Sequence, residues 1–319
     1  MEIVNSYNEF VVTMRDEVSM KLEGESIVET REVMKNNGTV YVGLTLGGNG
    51  EEVMPTIYLE DYYKSYQNGV PMENLVDMII SLYENNKRKV PEGIKDFLNY
   101  SSVKKNILYK LINRKRNEEL LEDVPYIPYH DLAIVFYVQV TFGEDDGIGS
   151  ILIHNAHMEK WGVTRETLLE DAASNCEKLL PPVVIPLGKF ICDSYMKRFG
   201  ALPDDMVPEE LLENLPMHIV TNTRNVFGAG VILYEGILKS SADSFDKNLA
   251  ILPSSVHEMI IIPVDCESEC EHLLDIVREV NCTSVKEEDF LSDNVYYYNR
   301  SKREVRMIKK RNGGVPLSV

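Results

Sequence analysis

Short β-rich runs recur in this sequence as pairs about a tight turn, and amphipathic helices separate the pairs. Paired runs close into antiparallel hairpins, whereas a parallel βαβ series needs a crossover after every strand, so this alternation constrains the fold strongly. The first pair lies in "SIVETREVMKNNGTVYVGLTL". Its runs flank Asn37-Gly38, a dipeptide whose backbone accepts the positive φ of a hairpin turn. The spacing predicts strands over 26–35 and 39–46. "DLAIVFYVQVTF" and "IGSILIH" form a second pair about Asp146-Gly147, and "NVYYY" and "EVRMI" a third around "NRSKR".

Helical spacing fills the intervals. In residues 5–22, Phe10, Val11, Met14, Val18 and Leu22 fall on one stripe. "MPTIYLEDYYKSYQNG" reads as a short strand and a helical turn. "PMENLVDMIISLYENN" predicts a helix with Pro71 in its first turn and Leu75, Ile79 and Leu82 inward. "SSVKKNILYKLINRKRNEELLEDV" predicts another, with Val103, Ile107, Leu108, Leu111 and Ile112 as its apolar face. Thr164 should cap a helix over "RETLLEDAASNCEKLL", with Val163 stapled onto Leu168. Residues 236–246 and "CEHLLDIVREV" read as helices, and 217–222, 228–234, 248–253 and 256–264 as strands. The expected fold is α+β, with mainly antiparallel sheets built from hairpins and packed helices. Two units are expected, 1–123 and 124–319, joined at the proline-bearing "DVPYIPYH".

With 319 residues, 44% of them hydrophobic, the chain can bury two cores. Its net charge of -18 opposes general adhesion to nucleic acid or anionic lipid. No apolar run approaches the roughly 18 residues of a membrane helix. The early acids of "MEIVNSYNEFVVTMRDE" do not suit a secretory leader. Five scattered cysteines read as reduced thiols. A cytoplasmic protein is expected, without a membrane partner.

Several stretches look chemical and fail on spacing. In "LPSSVHEMIIIP", the residue four after His257 is Ile261, not the second histidine of a zinc-protease helix. Ser255 and His257 share a face if the stretch is a strand, but no nucleophile elbow surrounds these serines. His154 and His157 of "IHNAH" would need further metal ligands, with Asp131 one candidate, and helix capping explains them better. Cys266, Cys270 and His272 lack a second ligand pair, and Asp265 reads as a cap there. "GLTLGGNGEE" has no phosphate-loop lysine and is followed by Glu51 and Glu52. Gly228 and Gly230 of "FGAGVILYEG" read as glycines for close packing. Basic residues cluster against the overall charge. From Lys87 to Arg116 there are ten Lys or Arg against two acids, and from Arg300 to Arg311 seven against one.

Several phrases occur together and in order: "VMKNNGTVYVGLTL", "PTIYLEDYY", "YKLINRKRNEELLEDVPY", "DLAIVFYV", "WGVTRETLLEDA", "LPPVVIPL", "VTNTRNVFGAGVILYEG" and "LPSSVHEMIIIPVD". Over about residues 25–310 they resemble the family known as domain of unknown function 5688, found in anaerobic Gram-positive bacteria of the clostridial kind. The resemblance implies a bacterial, cytoplasmic protein. It brings no activity, cofactor or catalytic residue.

The reading that follows is a non-catalytic cytoplasmic binding or interaction protein, with no catalytic residue, metal or cofactor assigned. If 217–234 and 248–264 share a sheet, Asn222, Arg224, Tyr234, Ser254, Ser255, His257 and Glu258 converge on a ligand-binding cluster. Arg224 and the serines would suit a polar or anionic ligand. A second candidate is the basic patch of Lys104, Lys105, Arg114 and Lys115. The partner expected is an acidic protein or a polar small molecule, ahead of nucleic acid. Two alternatives stay open: a hydrolase-like enzyme using Ser254–Glu258, and a nucleic-acid-associated regulatory or defence protein using 87–116 and 300–311.

Overall fold

The computed structural model describes residues 6–22, 26–47, 56–87, 97–142, 147–201 and 215–309. The fold is α+β with mainly antiparallel sheets. The chain divides into two compact units, residues 1–103 with 139–151, and residues 104–138 with 152–319. Among the described residues no helix is long and apolar enough to cross a membrane.

The first unit opens with α1 (Tyr7–Lys21), whose N-terminus is capped where Ser6 Oγ accepts the Glu9 N–H at 3.3 Å. Strands β1 (Ile27–Met34) and β2 (Val40–Gly47) pair antiparallel, with Met34 opposite Val40. Asn37 and Gly38 between them have φ of 60° and 71°, the left-handed backbone this dipeptide tolerates. Strand β3 (Thr56–Tyr58) completes the sheet beside β2, and α2 (Glu60–Gln67), α3 (Met72–Lys87) and the short α4 (Tyr100–Val103) follow. Phe10, Met14 and Val18 of α1 form one buried cluster with Leu44 and Leu46 of β2 and Leu75 and Ile79 of α3. Leu82, expected inward, is 42% exposed. Tyr83 takes the inward place, its hydroxyl 3.0 Å from that of Ser26. Residues 48–52 of the glycine stretch lie outside the described residues.

The chain continues with β4 (Ile107–Asn113), α5 (Glu118–Asp123), β5 (Tyr126–Tyr129), β6 (Leu132–Phe142) and β7 (Gly147–Leu152), of which β4, α5, β5 and the first part of β6 belong to the second unit. They form a sheet in the order β4-β6-β5, with β7 also paired to β6. Residues 139–151 at the far end of the β6–β7 hairpin count with the first unit. Asp146, the first residue of the expected turn, lies outside the described residues. Two expectations change here. The stretch read as a helix through Ile107–Ile112 is a strand, and the proline-bearing "YIPY" read as linker is a strand paired to β6. In β4 every residue except Lys110 is buried, so apolar side chains occupy both faces and period-2 alternation disappears.

Helices α6 (Asn155–Trp161) and α7 (Arg165–Leu179) come next. Thr164 caps α7 by accepting the Thr167 N–H at 3.3 Å, as its position predicts. Strand β8 (Pro182–Pro186), helix α8 (Leu187–Phe199) and strand β9 (His218–Asn222) lead to a 3-10 helix at Gly228–Leu233, where the sequence suggested a strand. A Cβ at Gly228 would overlap Thr221 Oγ1 and the His257 carbonyl oxygen, so the 3-10 helix lies directly against β9 and the next hairpin. Helix α9 (Ile237–Phe245), strands β10 (Asn248–Ser255) and β11 (Glu258–Val264), helix α10 (Leu273–Ser284) and strands β12 (Tyr296–Asn299) and β13 (Glu304–Met307) complete the unit. Their antiparallel sheet has the order β13-β12-β10-β11-β9-β8. The prolines of β8 sit on its edge, where a missing N–H leaves no ladder bond unmade.

One carboxylate fixes the chain ahead of β12. Asp131, in the β5–β6 turn, accepts from Ser292 Oγ at 2.6 Å, Asn294 Nδ2 at 2.9 Å and Tyr296 Oη at 2.6 Å. Burial and this carboxylate push the Tyr296 phenol far up from its ordinary value. The clamp anchors the segment that also supplies Asp289 to the site described next.

Candidate functional site

Strand order places the end of β9 beside the β10–β11 hairpin. The loop leaving β9, residues 223–227, is therefore built over the hairpin turn Val256-His257. Asn222 is 1% exposed and organises the loop from its base. Its Oδ1 accepts the N–H groups of Arg224 at 3.0 Å and Val226 at 3.4 Å, and its Nδ2 donates to the Val226 carbonyl at 2.8 Å. An asparagine amide suits this task because it carries both a donor and an acceptor.

His257 supplies the second support. Its Nδ1 accepts the Phe227 N–H at 3.1 Å, which assigns the ring proton to Nε2, 3.2 Å from Asp289 Oδ1. The ring stacks on Phe227 with centroids 5.8 Å apart and planes 12° from parallel. Tyr137 meets the Phe227 ring edge-on at 5.3 Å, and Lys110 Nζ lies 4.2 Å from its centroid. The His257 carbonyl accepts from Thr221 Oγ1 at 2.8 Å, and the His257 N–H donates to Ser255 Oγ at 3.0 Å. The Ser255 hydroxyl in turn donates to Glu258 Oε1 at 2.7 Å. Val256 N–H donates to the Asp289 carbonyl at 2.9 Å, joining the turn to the 289 segment.

The loop held this way contains two non-glycine residues with left-handed backbone, Asn225 at φ 54° and Phe227 at φ 53°. Asparagine tolerates this backbone, but for Phe227 it costs of order 1 kcal/mol or more and persists where surrounding contacts over-determine it. Phe227 points into the support, while Thr223, Arg224, Asn225 and Val226 are exposed. The Arg224 side chain makes no hydrogen bond or ion pair among the described residues.

The seven residues expected to converge are thus sorted into roles. Asn222, Ser255, His257 and Glu258 come together as supports, and Arg224 stands on the loop they hold. Ser254 is half-buried and makes no side-chain hydrogen bond among the described residues. Tyr234 belongs elsewhere: its hydroxyl donates to the Leu180 carbonyl at 3.1 Å and its ring meets Tyr109 edge-on at 6.2 Å. Burial, reinforced by Cys176, pushes its phenol far up, and burial pushes the Cys176 thiol up to about 12. His257 lies in a turn, so the shared strand face expected for Ser255 and His257 does not form. The wiring also differs from acyl transfer, where an imidazole takes the serine proton. Here the Ser255 hydroxyl donates its hydrogen bond to Glu258, and both imidazole nitrogens are engaged with other groups.

Asp289, Thr221 and Phe227 are essential to this arrangement and were not anticipated. Asp289 is 32 residues from His257 in sequence and no local motif links them. Thr221 could be found, because it precedes Asn222 at the end of an apolar strand.

Of the basic patch, Lys104 pairs with Asp171 at 3.1 Å. Lys105, Arg114 and Lys115 are exposed, with no ion pair among the described residues. Their neighbour Arg116 pairs with Glu287 and stacks 3.5 Å over Phe290. Basic residues 88, 89, 95, 310 and 311 lie outside the described residues. His154 Nδ1 lies 2.8 Å from Asp123 Oδ2, and its N–H donates to His157 Nδ1 at 3.1 Å, a cap for α6. Asp265, read as a cap, instead pairs with Lys247, and Cys266 occupies the N-cap of the 3-10 turn Glu267–Cys270. Among the described residues no three His, Cys, Asp or Glu side chains are grouped to hold a metal ion.

Among known proteins, one model, described as a family of unknown function (DUF5688), matches residues 7–300. No curated protein and no solved structure matches the chain.

Proposed function

From the premise that the chain belongs to this family of unknown function, we propose that it is a non-catalytic binding protein of the bacterial cytoplasm that presents residues 224–226 to an acidic protein partner. The observation that carries this reading is the fixed loop itself. Left-handed backbone at Asn225 and Phe227 is held from beneath by Asn222 and His257. A pre-formed loop binds without an ordering cost, and rigid scaffolds commonly place recognition residues on such loops. Arg224 offers a planar five-donor guanidinium to a carboxylate, beside Val226, which is 44% exposed. In a chain of net charge -18, a partner's acidic group needs such a local cation to approach. The five cysteines are all free thiols, including the exposed Cys266 and Cys282, which agrees with a reducing compartment.

The test is site-specific photocrosslinking in the native host, with the reactive residue at position 225 and a control at exposed Lys302. An acidic protein captured from position 225 alone, and lost on Arg224→Glu, is the expected result. The same capture from both positions, or capture unaffected by Arg224→Glu, would contradict the reading.

A further inference from the structure

A cleft of about 810 Å³ opens in the second unit between α9, the chain entering β10, the end of β11 and the β12–β13 turn. That volume could hold a small molecule, although the cleft is open and polar where most small-molecule sites are enclosed and apolar. Its walls are charged. Arg300 Nε donates to Asp243 Oδ1 at 2.8 Å, and its Nη1 pairs with Asp246. Lys239 also reaches Asp243, at 3.3 Å, and Lys247 pairs with Asp265. Asn248 ties the two walls together: its Oδ1 accepts the Arg300 N–H at 3.0 Å and its Nδ2 donates to the Asp265 carbonyl at 2.9 Å.

The charges in the cleft do not cancel. Lys239, Lys247, Arg300 and Arg303 face Asp243, Asp246 and Asp265, four cations against three carboxylates, in a chain whose total is -18. Each carboxylate already has a cation. Arg303 is the cation of the lining whose side chain makes no hydrogen bond or ion pair among the described residues. An anionic group entering the cleft would therefore be met at Arg303. The paired carboxylates keep unfilled acceptor sites, since each offers about four lone-pair positions. Those sites suit hydroxyl donors, whereas a second anionic group would face the three carboxylates.

We infer that this cleft binds a small polyhydroxyl molecule carrying one anionic group, of the sugar-acid or sugar-phosphate class. Arg303 takes the anion, and the Asp243–Arg300 and Asp265–Lys247 pairs take the hydroxyls. The site is independent of the 223–227 loop.

Isothermal titration calorimetry on the full chain tests it, with glucose 6-phosphate, gluconate and glucuronate as probes. Glucose and inorganic phosphate separate the hydroxyl and anion contributions. At least one anionic polyol should bind saturably, at least tenfold more tightly than glucose or phosphate. Arg303 has φ 54°, so Arg303→Asn removes the cation while keeping a residue that tolerates this backbone. It should weaken the anionic polyol at least tenfold and leave the unfolding midpoint unchanged. No saturable heat with any of the three would overturn the inference. So would equal binding of phosphate alone, or affinity unchanged by Arg303→Asn.

Discussion

Beneath the 223–227 loop, polar groups of β9, the β10–β11 turn and the 289 segment are bonded to one another. Asn222 uses both ends of its amide, His257 both ring nitrogens, and Ser255 both its donor and an acceptor site. Around Arg300, in the same unit, charges of both signs line an open cleft of about 810 Å³, and the arginine at its rim keeps its donors for solvent. The first arrangement holds backbone in a conformation it would not otherwise keep. The second costs the fold little if its rim is altered, because exposed ion pairs contribute between zero and about 1 kcal/mol. Substitutions should therefore act on stability under the loop and on binding at the cleft.

Gly228→Ala should do the greatest damage to the first region. The new methyl meets the His257 carbonyl, which is fixed in the hairpin turn, and Thr221 Oγ1, which is bonded to that carbonyl. A loss of about 3 kcal/mol is expected from such overpacking, read as a lower urea midpoint. An unchanged midpoint would mean that the 3-10 helix can shift away. His257→Ala should cost about 2 kcal/mol, since it removes the acceptor for Phe227 N–H, the Asp289 contact and the ring stack together. Ser255→Ala breaks the link from the His257 N–H to Glu258 and should cost about 1 kcal/mol by the same measurement. At the other extreme, Arg224→Ala and Arg303→Asn should stay within about 0.5 kcal/mol of the parent, because both side chains are exposed. A larger loss at Arg303 would make the cleft structural and erase the contrast.

Acid should weaken the fold through histidines that belong to neither region. Burial lowers the proton affinity of His218, and burial with the nearby His154 lowers that of His157. A depressed folded-state value means that the unfolded chain takes up protons first as pH falls through about 6.5. The contribution of neutral His218 and His157 is thus present above that pH and lost progressively below it. Urea midpoints measured from pH 8 down to 5.5 should fall, and His218→Gln should flatten the slope.

Hairpins and caps were legible because their signals are local. Asn37-Gly38 fixes the β1–β2 turn and Thr164 the start of α7 without help from distant residues. Strand β4 was not legible as a strand. Ile107, Leu108, Leu111 and Ile112 are spaced for a helix face, and only burial on both sides of the sheet explains why a strand carries them. Strand β8 was hidden by its prolines, which an edge position permits. The loop's supports show the same division. Asn222, Ser255, His257 and Glu258 stand out as polar residues at the ends of apolar strands. Asp289 could not be joined to them, because it lies 32 residues beyond His257 in sequence and meets it only through folded-chain contacts such as the Val256 N–H bond to its carbonyl.

The central claim is that the exposed 223–227 loop is held rigid by side chains beneath it. Residue-resolved amide hydrogen exchange of Arg224, Val226 and Phe227 tests this most directly, in the parent chain and in His257→Ala. The account predicts exchange at least about a hundredfold slower than in an unstructured peptide for all three amides, with Phe227 losing its protection in the variant. Exchange of these amides in the parent chain at the unstructured rate would contradict it.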